Sequence, residues 1–118
     1  LAAAFSGVGQ PVLVPGDMGT ASWVLAGPTS GGNDAFSSSC HGAGRRLSRT
    51  AARKSVDSDA LMETLESRGI HVRVKTPNVL SEEAPEAYKD VDEVIRLTSE
   101  AGLARPVARL RPIAVIKG

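Results

Sequence analysis

Cys40-His41-Gly42-Ala43-Gly44-Arg45 is the stretch of this chain whose residue types best suit chemistry. An imidazole can act as a nucleophile, and glycines beside it let backbone N–H groups approach a ligand without a Cβ in the way. The residues that follow are compatible with a helix that begins near Ala43 and runs to Lys54. The N-terminus of such a helix carries unsatisfied donors and partial positive charge, which makes it an anion site. On that helix Arg45, Arg49 and Arg53 fall at i, i+4 and i+8 and line one face. An imidazole beside a helix N-terminus and an arginine row suits nucleophilic work on phosphate. Pattern alone leaves two other readings open: a structural histidine and a basic face that is simply solvated.

The rest of the sequence bounds that chemistry. Lys and Arg number 14 and Asp and Glu 13, a net charge of +1, so the chain as a whole is no electrostatic nucleic-acid binder. Any such role must come from local clustering. Cys40 is the lone cysteine, so no disulfide forms within the chain. With His41 and His71 the only histidines, no His/Cys/Asp cluster has metal-ligand spacing. Cys40 reads as core packing and His71 as a surface strand residue. The cysteine usage fits a reducing compartment, with a cytoplasmic location expected. No apolar run approaches the ~20 residues of a membrane span, and Leu1 to Phe5 lacks the basic start of a signal peptide. Leu1 in place of Met suggests a segment of a longer protein.

The elements that must position His41 are short. Pro11 to Val14 and Ala21 to Ala26 read as strands, ended by Pro15-Gly16 and Gly27-Pro28. Residues 1–10 and 29–35 read as loop, and Phe36 to Cys40 as extended. A second helix starts at Ser58 or Asp59, both good N-caps, and stops at Gly69. Ile70 to Lys75 alternates as a half-buried strand does. Residues 76–90 are turn-rich, with Pro77, Pro85 and the acidic pair Glu82-Glu83. Val91 to Gly102 reads as a third helix, and Ala104 to Lys117 as an extended stretch broken by Pro106 and Pro112. With 118 residues there is room for one domain. Its core must rest on Val, Leu, Ile and Ala, because only Phe5, Trp23, Phe36 and Tyr88 are aromatic. Strands that come singly between helices give an α+β class.

Several ordered blocks then point to a family. Gln10 to Leu25, with Pro15-Gly16-Asp17-Met18-Gly19-Thr20-Ala21-Ser22-Trp23, resembles a block of the RtcB-type RNA-splicing ligases. Cys40 to Arg45 with Ser48-Arg49 resembles that family's most characteristic motif. Glu66-Ser67-Arg68-Gly69-Ile70 follows, Glu82-Glu83-Ala84-Pro85 with Tyr88 to Val94 resembles another block, and the closing Val115-Ile116-Lys117-Gly118 resembles the family's C-terminus. The likeness runs from about Val8 to the last residue and implies the C-terminal segment of a single RtcB-like catalytic domain, without its metal-binding N-terminal part.

That resemblance also implies a chemistry. The family is GTP- and Mn²⁺-dependent and joins RNA 3′-phosphate or 2′,3′-cyclic phosphate ends to 5′-hydroxyl ends, as in tRNA halves or broken RNA. It implies His41 as the guanylylated nucleophile, with Gly42, Ala43 and Gly44 cradling the GMP. Pro15, Gly16, Asp17, Met18, Ser22, Tyr88 and Lys117 are implied around the guanine. Arg45 and Arg49 are chosen for RNA phosphate. The metal ligands are expected outside this chain, and an activating protein is a further expected partner. Two positions depart from the pattern: Asp17 stands where Ser is usual, and Trp23 where Tyr is usual. A carboxylate at 17 can accept from guanine N–H groups but repels O6 and the phosphates. The competing functions are a non-catalytic nucleotide- or RNA-binding segment, a segment that completes the core of a larger ligase, and, disfavoured by two histidines, a metal-dependent hydrolase.

Overall fold

Pro11–Val14 (β1) and Ser22–Ala26 (β2) form an antiparallel pair in which Val14 meets Trp23 and Val12 meets Leu25. Both are short because Pro15-Gly16 and Gly27-Pro28 end them. The computed structural model describes residues 3–29 and 38–118. A third strand, Arg105–Leu110 (β4), lies antiparallel on the other side of β2, with a register shift at Val24/Leu25. A second, two-stranded sheet pairs His71–Val74 (β3) with Ala114–Lys117 (β5) in parallel.

The helices are Arg49–Ser55 (α1), Ser58–Ser67 (α2), Pro77–Glu82 (α3) and Val91–Glu100 (α4). Ser48, Asp57 and Asp90 cap α1, α2 and α4, each side chain accepting a backbone N–H of the first turn. Short 3₁₀ turns occupy Ala3–Phe5 and Pro85–Ala87.

Burial sorts these elements into two cores. Leu61, Leu65, Ile70, Val72, Leu80, Ala84 and Val115 join α2 and α3 to the two-stranded sheet. Val14, Leu25, Ala43, Val91, Ile95 and Ala104 join the three-stranded sheet to α4. The β1–β2 loop serves both, because Met18 at its centre is buried in the first core while the strands at its ends build the second. Asp92 on α4 ties down the sheet edge. It accepts from Trp23 Nε1 at 2.9 Å and pairs with Arg109 at 3.1 Å, and the Arg109 hydrogen bond chiefly holds its carboxyl below the usual range.

The mixed α and β class is as expected from the sequence. Four local readings are corrected. The first helix begins at Arg49, not near Ala43. Gly44 adopts φ +80, a left-handed conformation no helix contains, and Arg45 instead forms an antiparallel bridge with Tyr88. Residues 76–90 are not all turn, since Pro77 opens α3, as proline at a first helical position does. Residues 1–10 include a 3₁₀ turn. Of the extended stretch expected at Phe36 to Cys40, Phe36 and Ser37 lie outside the described residues, and Ser38 to Cys40 carry no regular structure.

Large apolar side chains remain at the surface: Leu13, Val107, Leu110, Ile113 and Ile116, the last 83% exposed. By register Leu13, Val24 and Ala108 form a row across the sheet, on the face opposite the buried Val14 and Leu25. Among the described residues no helix is long and apolar enough to cross a membrane.

Candidate functional site

His41 sits on a loop, exposed, seven residues before the Ser48 cap of α1. The expected helix N-terminus therefore does not stand beside it. What holds the loop is a set of backbone bonds to the segment before α4. Arg46 and Leu47 donate N–H to the Ala87 carbonyl at 2.9 and 3.2 Å, and Lys89 donates to the Gly44 carbonyl at 2.9 Å. On the N-terminal side Ala43 is buried in the second core and Cys40 packs against it, with Sγ 3.6 Å from Thr98 Oγ1. That is the core packing expected of Cys40. The imidazole is thus displayed on a loop anchored at both ends.

The β1–β2 loop lies against this one. A Cβ built on Gly42 would stand 3.3 Å from the Pro15 carbonyl oxygen. Pro15 and Gly16 are therefore brought to the His41 loop, as expected. Their own loop is internally bonded. Gly16 N–H donates to Ser22 Oγ at 3.0 Å, Asp17 N–H to Thr20 Oγ1 at 3.3 Å, and Gly19 N–H to Asp17 Oδ1 at 2.9 Å. Ser22 and Asp17 thus shape the turn. Asp17 Oδ2 accepts from no described residue, and the Ser22 hydroxyl, an acceptor here, keeps its proton to donate. Met18 buries its side chain in the first core.

Arg45 and Tyr88 meet, but as partners of each other. The Arg45 guanidinium donates to the Glu82 carbonyl at 2.7 Å, to Glu83 Oε2 at 2.9 Å and to Tyr88 Oη at 3.1 Å, with its carbon 4.7 Å from the Tyr88 ring centre. Tyr88 Oη in turn donates to Glu83. Arg53 pairs with Glu82 at 3.4 Å. Two arginines of the expected row are therefore engaged by the acidic pair, and Arg45 is not on α1 at all. Arg49 is exposed, with no side-chain bond to a described residue. Lys117 stands at the end of β5 in the other sheet, its carbonyl accepting from Lys75 N–H at 3.0 Å. His71 is an exposed strand residue, as expected.

Sequence reasoning missed Glu83, which orders both Arg45 and Tyr88. The signal was the acidic pair itself, two carboxylates in a segment with no lysine or arginine within three residues. Partial burial raises the Tyr88 phenol first, and the neighbouring Glu83 raises it further, up to about 12 from 10.0. Tyr88 is the sole tyrosine, so phenolate absorbance follows it without interference. We expect the folded chain to titrate near 12, and Glu83→Gln to bring the midpoint back toward 10. The folded pKa lies above the unfolded one. The phenol's contribution to stability is therefore complete below pH 10 and fades as the pH rises from 10 to about 12. A midpoint near 10 in the unmodified chain would show that the Glu83 contact does not form.

All 118 residues match the family described as tRNA-splicing ligase RtcB. The chain belongs to this family. The tRNA-splicing ligase RtcB of Pyrococcus abyssi is 56% identical over 111 residues, which cover 94% of this chain and 12% of that protein. That of Thermococcus kodakarensis is 55% identical over 115 residues, 98% of this chain and 24% of its own length. The RNA-splicing ligase RtcB of Mycobacterium tuberculosis is 55% identical over all 118 residues, 27% of its length. The chain thus spans between an eighth and about a quarter of these three RtcB relatives. Among its described residues no group of three or more His, Cys, Asp and Glu is placed to hold a metal ion.

Proposed function

We propose that this chain is the nucleotide-accepting segment of a GTP-dependent RNA ligase, and that His41 carries GMP. The observation that supports this most is the display of His41. It is the exposed imidazole of a loop pinned by backbone bonds to residues 87–89 and abutting the Pro15-Gly16 turn. A nucleophile needs both reach and a fixed position.

In this reading an imidazole nitrogen of His41 attacks the α-phosphorus of GTP. A P–N bond forms, the P–O bond to the β-phosphate breaks, and pyrophosphate leaves. The RNA 3′-phosphate then attacks the same phosphorus, and His41 departs. Finally the 5′-hydroxyl attacks the activated 3′-phosphorus, loses its proton, and GMP leaves. Gly42 and Gly44 present backbone to the GMP without Cβ atoms, and Asp17 Oδ2 accepts from the guanine N–H edge. Arg49, whose side chain bonds no described residue, meets RNA phosphate. Arg45 acts through the protein by holding the loop to Glu83 and Tyr88. Mn²⁺ does not fit the described residues, and its ligands belong in this reading to the remainder of the ligase.

The exposed apolar side chains support a second role alongside the first. Leu13, Leu110 and Ile116 offer a surface that a larger ligase would cover, so the segment also completes a core. The 118 residues alone are accordingly expected to be inactive. The test is incubation with α-labelled GTP and Mn²⁺, alone and with the rest of the ligase polypeptide supplied in trans. The label should appear only in the second case, and peptide mapping should place it on His41. Labelling at any other residue counts against the proposal. Labelling of the isolated chain at His41 would overturn the expected inactivity while supporting the nucleophile.

A further inference from the structure

Away from His41, a cleft of about 470 Å³ opens between the two sheets, lined in part by Gly19, Thr20, Arg68, Arg109, Arg111 and Ile113. Three of its lining residues are arginines and none is acidic. Of the three, Arg68 and Arg111 pair with no described carboxylate, and in a chain of net charge +1 they make a local excess of positive charge. Arg109 is held by Asp92 at 3.1 Å, which fixes one wall. Arg68 and Arg111 are exposed and make no side-chain bond to any described residue. Thr20 Oγ1 accepts from Asp17 N–H and so keeps its proton to donate. Ile113, 78% exposed, adds an apolar wall suited to a ribose or a base.

We infer that this cleft binds the phosphodiester backbone of single-stranded RNA. Exposed arginines in water hold a small free anion weakly. A polyanion gains in addition from release of its condensed counterions, by a factor of about five for each phosphate neutralised at about 0.1 M salt relative to 1 M. Position supports the same ligand. Gly19 and Thr20 are the far end of the loop whose near end, Pro15, touches Gly42 next to His41. A strand in the cleft therefore leads along that loop toward the His41 loop. The choice of RNA rests on the reading of this segment as part of an RNA ligase, but binding here requires neither GTP nor His41. Loss of GMP transfer and loss of cleft binding are separate results.

The test is fluorescence anisotropy of the full chain with a short labelled RNA bearing hydroxyls at both ends, titrated across salt concentrations. The expected slope of log K against log salt falls by about 0.7 for Arg68→Ala or Arg111→Ala and by about 1.4 for the double variant. The Arg68→Lys/Arg111→Lys pair should keep the slope, and circular dichroism should show every variant folded, since both side chains are exposed. Arg96→Ala, on α4 outside the cleft, should leave the slope unchanged. An unchanged slope in the double alanine variant, an equal fall in Arg96→Ala, or no RNA binding by the unmodified chain would overturn the assignment. Equal competition by pyrophosphate, or by polyglutamate of matched charge, would reassign the cleft to anions in general and overturn it for RNA.

Discussion

Replacing His41 by alanine should abolish covalent GMP transfer in the complemented ligase. No other exposed imidazole lies near the site among the described residues, since His71 is on the two-stranded sheet. Loss of a covalent nucleophile costs on the order of 10⁶-fold in a hydrolase where it has been dissected. The expected change in labelling is therefore total within any practical detection range. His71→Ala is the matched control and should label normally. His41 is exposed and not in the core, so its replacement should leave the melting temperature unchanged. Loss of label with retained stability separates a chemical role from a structural one. Persistent label in His41→Ala would reassign the nucleophile, and an equal loss in both histidine variants would point to impaired assembly with the rest of the ligase.

Gly16→Ala should produce a large stability effect for a single added carbon. A Cβ there would overlap the Ala21 carbonyl oxygen and stand 2.7 Å from the carbonyl carbon, both backbone atoms that no rotamer change can move. The same residue donates its N–H to Ser22 Oγ, so relief by shifting the turn breaks that bond as well. Overpacking costs about 1–3 kcal/mol and sometimes more. A rigid backbone neighbour places this case at or above the upper end. For a domain of this size the melting temperature should fall by roughly 10 °C, at about 4 °C per kcal/mol. Gly7→Ala, where a Cβ meets nothing within 4 Å, is the control and should melt within a degree or two of the unmodified chain. If Gly16→Ala melts like Gly7→Ala, the β1–β2 turn is looser than its hydrogen bonds imply. The substitution should also weaken GMP transfer, because Pro15 beside it abuts Gly42.

Much of the fold was legible because its signals are local. Pro15-Gly16 and Gly27-Pro28 bounded strands that the structure places at Pro11–Val14 and Ser22–Ala26. The alternation of residues 70–75 gave β3, and a serine start with a glycine stop gave α2. The helix expected at Ala43 failed because its periodicity was read through Gly44. A left-handed glycine and a bridge to Tyr88 outweigh helix propensity there, and the bridge partner is 43 residues away. α3 was missed because two prolines in one segment read as turns, although a proline at a helix start is favourable.

The site divides in the same way. The residue types and order around His41, and the ordered blocks that carry the family, were present in the sequence itself, since motif identity needs no third dimension. Tertiary structure alone decided which charges are free. The row of Arg45, Arg49 and Arg53 looked like one basic face, yet Arg45 and Arg53 are engaged by Glu83 and Glu82, leaving Arg49. Conversely Arg68 and the Arg109/Arg111 pair, dozens of residues apart in the chain, converge on one cleft. A charge pair depends on distances of a few ångströms between segments dozens of residues apart. Those distances are set by how α3 packs on α1 and how the two sheets meet, which local patterning does not encode.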